Sequence, residues 1–176
     1  ALTARVTDRK SFLARKRWMQ TRMIIVDECS MMDARTLQAI DSVGREVRRR
    51  RSQPFGGMQI VLIGDFLQAC PIPTAGSKNP LDGRFVFGWP DFATAVPNVV
   101  HLRTNFRQAT DPRLQGVLGD IRRGVYSAET LSVLQECAQR RVEDMDVRPT
   151  MLFSTKAEVN RLNSSVLQSM QVGVRH

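Results

Sequence analysis

The chain of 176 residues is poor in the residues that build disulfide frameworks, zinc sites and membrane spans. It has three widely separated cysteines (Cys29, Cys70 and Cys137) and two histidines, so it contains no C-x-x-C pair and no zinc-ligand spacing. This usage predicts a reducing, intracellular compartment. No apolar run approaches the roughly 20 residues that cross a bilayer, so we expect no membrane partner. The first residue is Ala1 and no secretory signal follows, which indicates an excerpt from a longer chain.

Acidic residues are also scarce. Aspartate and glutamate total 17 against 26 lysines and arginines, which gives a net charge of +9, and 22 of the 26 basic residues are arginine. Arginine binds phosphate through a planar fork, whereas lysine offers only a point charge. The composition therefore favours nucleic acid or a nucleotide as partner, although a solvated basic face without a partner would give the same count.

Apolar runs and helical spacings alternate along the chain. The runs at 23–26 and 58–63 predict two buried strands of a parallel sheet, and a helix from about residue 33 to 50 lies between them, with Gly44 as its weak point. Residues 99–102 and 151–153 predict a third and a fourth strand. Further helices are expected within 3–18, over 114–121 before Gly124, from Ser127, and after a capping box at Thr155 and Glu158. This order predicts an α/β fold, a parallel sheet flanked by helices.

Two segments allow more than one interpretation. The basic run 48–51 ends the helix that follows the first strand, so it either offsets the helix dipole or contacts DNA. The stretch 69–98 contains five prolines and predicts a long loop, which would be functional or mobile. We expect its four large aromatic residues to pack at the edge of the core: Phe85, Phe87, Trp89 and Phe92.

Charged and amide side chains follow the predicted strands, where the loops of a parallel sheet converge on one crevice. Asp27 and Glu28 end the first strand, and this pair suits Mg²⁺ binding and activation of a water molecule. Asp27 or Ser30 could instead cap the next helix. Gln68 follows the second strand, where an amide can orient the attacking water or sense the γ-phosphate, and Arg107 follows the third, where it can neutralise charge on that phosphate. A loop amide and a surface ion pair are the ordinary alternatives.

Four segments together resemble the PIF family of 5′-to-3′ DNA helicases, the RecD-like branch of superfamily one. Residues 24–33 (IIVDECSMMD) resemble its magnesium and general-base motif, and 54–68 (PFGGMQIVLIGDFLQ) resemble the next motif. Residues 102–124 (LRTNFRQATDPRLQGVLGDIRRG) and 153–163 (FSTKAEVNRLN) are similar to the two blocks that follow. The resemblance thins before residue 18 and between about 125 and 150.

The resemblance implies a RecA-like fold in two incomplete lobes, 1–103 (the latter part of the first motor domain) and 104–176 (the beginning of the second). It implies that Asp27 organises Mg²⁺, Glu28 activates water, and both Gln68 and Arg107 contact the γ-phosphate of ATP, with Asp65 in support. The implied DNA contacts are Phe66, Pro71 and Pro73. The family continues Gln-Leu-Pro-Pro after the glutamine, whereas this chain has Gln-Ala-Cys-Pro-Ile, a departure at the predicted DNA contact.

The implied activity is ATP-driven translocation on single-stranded DNA and unwinding of forked DNA, in repair, recombination, telomere or organelle genome maintenance, in the nucleus or the mitochondrion. The phosphate-binding pattern G-x-x-x-x-G-K-[ST] is absent from these residues. We therefore expect the cradle upstream and later motor motifs downstream, in the rest of a longer protein, and no ATPase from these residues alone. The alternatives are a degenerate, non-enzymatic DNA-binding scaffold and another nucleotide-driven motor such as a clamp-loader-like ATPase.

Overall fold

The computed structural model describes residues 12–140 and 149–172, and it separates into two compact units, Ala1–Val125 and Tyr126–His176. The first unit contains helix α1 (Phe12–Gln20), strand β1 (Met23–Val26), helix α2 (Ala34–Val47), strand β2 (Gln59–Leu62), the short helix α3 (Phe92–Ala95) and helix α4 (Pro112–Arg123). The second contains α5 (Ala128–Gln139) and α6 (Lys156–Val172). The structure is therefore α/β, and none of the described helices is both long and apolar enough to span a membrane.

Strands β1 and β2 pair in parallel, in a register that runs from Met23 opposite Gln59 to Val26 opposite Leu62. This confirms the first two predicted strands and their parallel arrangement. The expectation that both faces are buried is wrong, because Ile25 is 61% exposed while Ile24 and Ile60 pack against the core. Among the described residues the packed layer lies on one side of the sheet only.

Helix α2 supplies the layer that covers this sheet. Asp33 caps its first turn, accepting a hydrogen bond from the Thr36 backbone N–H at 2.8 Å. A Cβ atom at Gly44 would lie 2.6 Å from the carbonyl oxygen of Phe55, so the glycine allows the helix to approach the turn Pro54–Gly57 closely. The buried core beside this contact contains Ala34, Leu37, Phe55, Met58, Leu81, Val86 and Trp89.

The basic run after α2 has a structural role that neither sequence interpretation anticipated. The guanidinium of Arg48 donates hydrogen bonds to the carbonyl oxygens of Trp18 (2.8 Å), Thr21 (2.9 Å) and Gly56 (2.8 Å). It therefore joins the end of α1 to the turn before β2.

The predicted third and fourth strands are wrong. Residues 99–102 and 151–153 form neither strand nor helix, and their apolar side chains are exposed, to 82% at Val100 and 92% at Leu152. A strand needs a neighbour to satisfy its backbone groups. Within the described ranges the sheet consists of β1 and β2 alone, so neither run has a partner.

The helices of the later part of the chain agree better with expectation. Asp111 caps α4 by accepting from the Leu114 N–H at 2.9 Å, and Gly124 ends it in the left-handed conformation. Ser127 caps α5. The predicted capping box before α6 is formed, because Glu158 accepts from the Thr155 backbone N–H at 3.2 Å and Thr155 accepts from the Glu158 N–H.

The long loop contains the turn Val86–Gly88 and helix α3, and its aromatic residues divide into two groups. Trp89 is buried in the core and Phe92 packs against it, as predicted. Phe85 and Phe87 instead stack on each other, with ring centroids 5.2 Å apart, and Phe87 is 52% exposed.

Candidate functional site

Two backbone hydrogen bonds join the carboxyl ends of β1 and β2. The N–H of Ile63 donates to the Val26 carbonyl, and the N–H of Cys29 donates to the Ile63 carbonyl, both at 2.9 Å. The turn that carries Asp27 and Glu28 is thereby fixed against the first residue after β2. The prediction that the two strand ends meet is confirmed, and the segment 64–68 begins directly after the residue that bonds both sides of the acid pair.

Gly64 is required for this close approach. A Cβ atom at Gly64 would lie 2.9 Å from the Cys29 nitrogen, 3.0 Å from its Sγ and 3.2 Å from the Ser30 nitrogen. Any other residue would push apart the two turns that carry the predicted site.

The acid pair occupies a strained, exposed turn. Glu28 has a φ of +51°, which an L-residue other than glycine adopts only at an energetic cost of about 1 kcal/mol or more. Its N–H donates to Asp27 Oδ1 at 2.9 Å, and both residues are exposed. Asp33 rather than Asp27 or Ser30 caps α2, so the helix-capping explanation of the pair is wrong.

The buried residues behind the acid pair are neutral. Burial raises the pKa of the Cys29 thiol, a backbone hydrogen bond lowers it, and the nearby charges of Asp27 and Glu28 raise it further. The Ser30 hydroxyl is fully buried and has no hydrogen-bond partner in the described structure.

The carboxylate chemistry fits a magnesium ion that is shared with phosphate groups. Asp27 and Glu28 supply oxygen ligands, and Mg²⁺ at nucleotide sites is held by one or two carboxylates together with phosphates and water. In the described part of the chain no three acidic, cysteine or histidine residues cluster to form an all-protein cage. Asp27 would hold the ion, as its Oδ2 accepts no hydrogen bond from any residue that the structure describes.

Asp65 organises the turn after β2. Its Oδ1 accepts from the Leu67 N–H at 3.1 Å and from Arg122 Nη2 at 2.8 Å, and its Oδ2 accepts from Gln68 Nε2 at 3.2 Å. The Gln68 backbone N–H also donates to the Asp65 carbonyl at 3.0 Å. Gln68 is exposed, but both its backbone and its side chain are fixed by one residue.

Arg107 lies in an exposed segment, and across the described ranges it makes no hydrogen bond or ion pair. The surface ion pair that sequence reasoning offered as its ordinary role is therefore not formed. The structure does not join Arg107 to the acid pair or to Gln68, so its contact with a γ-phosphate stays a prediction.

The predicted DNA contacts differ in exposure. Phe66 is 37% exposed and packs edge-on against Phe85 and Phe87, at centroid distances of 5.5 and 5.0 Å. Pro73 is exposed, whereas Pro71 is buried. The burial of Pro71 favours a role in packing over contact with DNA.

The loop that contains these prolines is fastened to the start of α2. Arg35 donates to the Thr74 hydroxyl at 3.3 Å and lies 3.6 Å from Asp82. Hydrogen bonding from Ser77 and from the Thr74 N–H, with the charge of Arg35, lowers the pKa of Asp82.

Sequence reasoning missed two arginines. Arg35 connects the loop after Gln68 to the helix that follows the acid pair, and Arg122 contacts Asp65 from 57 residues away. Arg122 stands in the last turn of α4, where a basic residue is ordinary, so no local pattern distinguishes it.

An acid pair and an amide-bearing turn follow two paired parallel strands, an arrangement of the RecA-like class of α/β domain. A family model described as PIF1-like helicase matches residues 3–117. The chain belongs to the PIF1-like helicase family.

Curated relatives show the same similarity. The chain is 31% identical over 157 residues to "ATP-dependent DNA helicase PIF1" of Emericella nidulans. The aligned region covers 89% of this chain and 20% of that protein. It is 33% identical over 156 residues to the human PIF1 helicase (89% and 23%) and 31% identical over 170 residues to RRM3 of Saccharomyces cerevisiae (96% and 22%). The chain thus spans about a fifth of the length of these relatives.

Solved structures confirm the RecA-like fold. The Pif1 helicase from Bacteroides in complex with ADP-AlF3 and ssDNA matches with a TM-score of 0.79 and 28% identity, over 92% of this chain and 38% of that one. Pif1 from Candida albicans matches with a TM-score of 0.78 and 28% identity, over 90% and 34%.

Proposed function

We propose that these residues form the central part of the motor of an ATP-dependent 5′-to-3′ DNA helicase. The observation that supports the proposal is the joining of the two strand ends, where the Ile63 backbone bonds both Val26 and Cys29 and Gly64 lies against Cys29 and Ser30. The curated relatives are named ATP-dependent DNA helicases, and the similar solved structures include complexes with ADP-AlF3 and with ssDNA.

Each of the four site residues has one role in this proposal. Asp27 would hold the Mg²⁺ of Mg-ATP, an ion that would supply positive charge beside the phosphates. Glu28 accepts a proton from the attacking water, for which its exposed carboxylate, free of side-chain hydrogen bonds in the described structure, is suited. Gln68 faces the γ-phosphate end of the nucleotide, and Arg107 stabilises the charge that develops there.

Arg107 belongs, in this proposal, to a second lobe that begins at residue 104, with residues 1–103 in the first lobe. The compact units divide after Val125, so the segment 104–125 packs with the earlier residues. ATP would lie between the lobes, and the phosphate-binding loop would be supplied by sequence outside these 176 residues.

We propose a single strand of DNA, or the single-stranded arm of a fork, as the second ligand. The net charge of +9 favours phosphate contacts, and a base can stack on exposed aromatic rings. Phe66 lies in a cluster with Phe85 and Phe87 directly after Asp65, which supports a contact there, with Pro73 on the adjoining loop. We further propose a role in nuclear or mitochondrial genome maintenance.

Replacing Glu28 by glutamine tests the proposal. Turnover is measured in an extended chain, meaning a polypeptide that joins these residues to a phosphate-binding loop. Glu28→Gln is expected to lower DNA-stimulated ATP hydrolysis by at least about 100-fold while leaving ATP and single-strand affinity within twofold, because only the base is removed. The matched control is Glu46→Gln on the surface of α2, whose ion pair with Arg51 is solvent-exposed.

Other outcomes would identify a different protein. Turnover that survives Glu28→Gln would remove Glu28 from the mechanism. DNA binding without hydrolysis by the extended chain would favour the non-enzymatic scaffold, and hydrolysis without strand separation would favour another nucleotide-driven motor.

A further inference from the structure

We propose that Arg122 is a positioning residue for Gln68, acting through Asp65, and that together they present the Gln68 amide oxygen to the attacking water. The proposal rests on the proposed function and adds to it a residue outside the predicted site. It starts from the carboxylate of Asp65, which is shared by the two side chains.

The chemistry of Asp65 fixes the orientation of the Gln68 amide. An ionised carboxylate only accepts hydrogen bonds, whereas an amide has a donating nitrogen and an accepting oxygen. The contact of 3.2 Å to Asp65 Oδ2 must therefore be made by Gln68 Nε2. The Oε1 atom makes no hydrogen bond within the described residues, and it is left as an acceptor.

An acceptor suits a water molecule better than a phosphate. Water donates O–H groups, and an unprotonated γ-phosphate oxygen only accepts, so Gln68 Oε1 can orient the former and would not attract the latter. We therefore assign Oε1 to the water; the bond to Asp65 uses one of the two N–H groups of Nε2, and the test below asks whether the other contacts phosphate.

Arg122 stabilises the arrangement from the opposite side. Its Nη2 lies 2.8 Å from Asp65 Oδ1, and the Asp65 side chain is 22% exposed. A charge-assisted bond of this length fixes the rotation of the carboxylate, so Oδ2 stays directed at the amide. The next residue, Arg123, pairs with Asp120 of its own helix at 2.9 Å and makes no bond to Asp65.

The test is a double-mutant cycle in the extended chain, with ATP hydrolysis and nucleotide affinity as readouts. Gln68→Ala is expected to lower kcat by about 100-fold, the usual size for one positioned polar group. Arg122→Ala is expected to lower kcat about fivefold, the size of one exposed ion pair, without raising KM for ATP. Arg123→Ala, the matched control, is expected to change neither, and Arg122→Lys should restore most of the loss.

Non-additivity separates positioning from mere stability. If Arg122 acts through Gln68, Arg122→Ala causes no further fall in kcat once Gln68 is alanine. Affinities for a non-hydrolysable ATP analogue and for ADP are measured as well. Gln68→Ala should leave the ratio of these two affinities within twofold of the wild-type ratio. Independent, multiplying losses from the two substitutions would overturn the role of Arg122, and a selective loss of analogue affinity would overturn the assignment of Gln68 to water rather than to phosphate.

The Glu28→Gln variant distinguishes a wrong positioning role for Arg122 from a wrong proposed function. If Glu28→Gln abolishes turnover while Arg122→Ala behaves like Arg123→Ala, only the positioning role is wrong. If the extended chain hydrolyses no ATP or is unaffected by Glu28→Gln, the proposed function itself fails and the positioning role with it.

Discussion

Gly64→Ala perturbs the candidate site without touching any of its functional groups. The new Cβ would lie 2.9 Å from the Cys29 nitrogen, whereas ordinary contacts begin near 3.4 Å. The obstructing atom is backbone, held by its hydrogen bond to Ile63, so no side-chain rotation relieves the clash. The two turns must separate by about 0.5 Å. Since a misplacement of about 1 Å can cost about 100-fold in rate, we expect a fall in kcat of about tenfold.

The assay is steady-state ATP hydrolysis by the extended chain, together with single-strand affinity and a thermal melt. The matched control is Gly116→Ala in α4, where a Cβ meets no atom within 4 Å. That substitution should stabilise the helix by about 0.5–1 kcal/mol and leave kcat unchanged. Gly64→Ala with wild-type kcat would refute the argument that the close approach of the strand ends builds the site.

Three further predictions concern the structure and the site. Asp41 is buried and accepts from the Phe55 N–H and from Arg45 Nε, both at 2.7 Å, so Asp41→Asn should lower the free energy of unfolding by about 3 kcal/mol in urea titrations; a loss below about 1 kcal/mol would contradict this. Because burial raises the pKa of Cys29, iodoacetamide at pH 8 should modify it at least about tenfold more slowly than exposed Cys70, and equal rates would show that the strand-end turn opens readily. Arg107→Ala should lower hydrolysis far more than single-strand affinity; equal losses would indicate a phosphate-backbone contact instead.

Local signals predicted the elements whose stabilising interactions are local. The helices after Asp111 and Ser127 are capped by those residues, and the box at Thr155 is formed as its spacing requires. The apolar side chains of α6 are unevenly covered, since Leu162 and Val166 are half-buried but Met170 is 64% exposed. What faces a helix depends on its neighbours, which periodicity alone does not supply.

The sheet shows why the remaining strands could not be predicted from short apolar runs. Runs 23–26 and 99–102 look alike in the sequence, yet only the first has an adjacent strand with which to exchange hydrogen bonds. A strand forms only with a neighbouring strand, and the pattern of one segment does not show whether such a neighbour exists. The same reasoning explains why Ile25 is exposed although its run is continuous and apolar.

The candidate site was predictable where order along the chain fixes position in space, and unpredictable elsewhere. A parallel pair places both strand ends at one edge, so the meeting of the turn after β1 with the residue after β2 followed from topology. The contact between Asp65 and Arg122 spans 57 residues and depends on where α4 packs, which no spacing encodes. The groups expected to do the chemistry were thus visible in the sequence. Arg122, which we propose as the positioning residue for one of them, became visible only through its contact with Asp65, whose carboxylate also bonds Gln68.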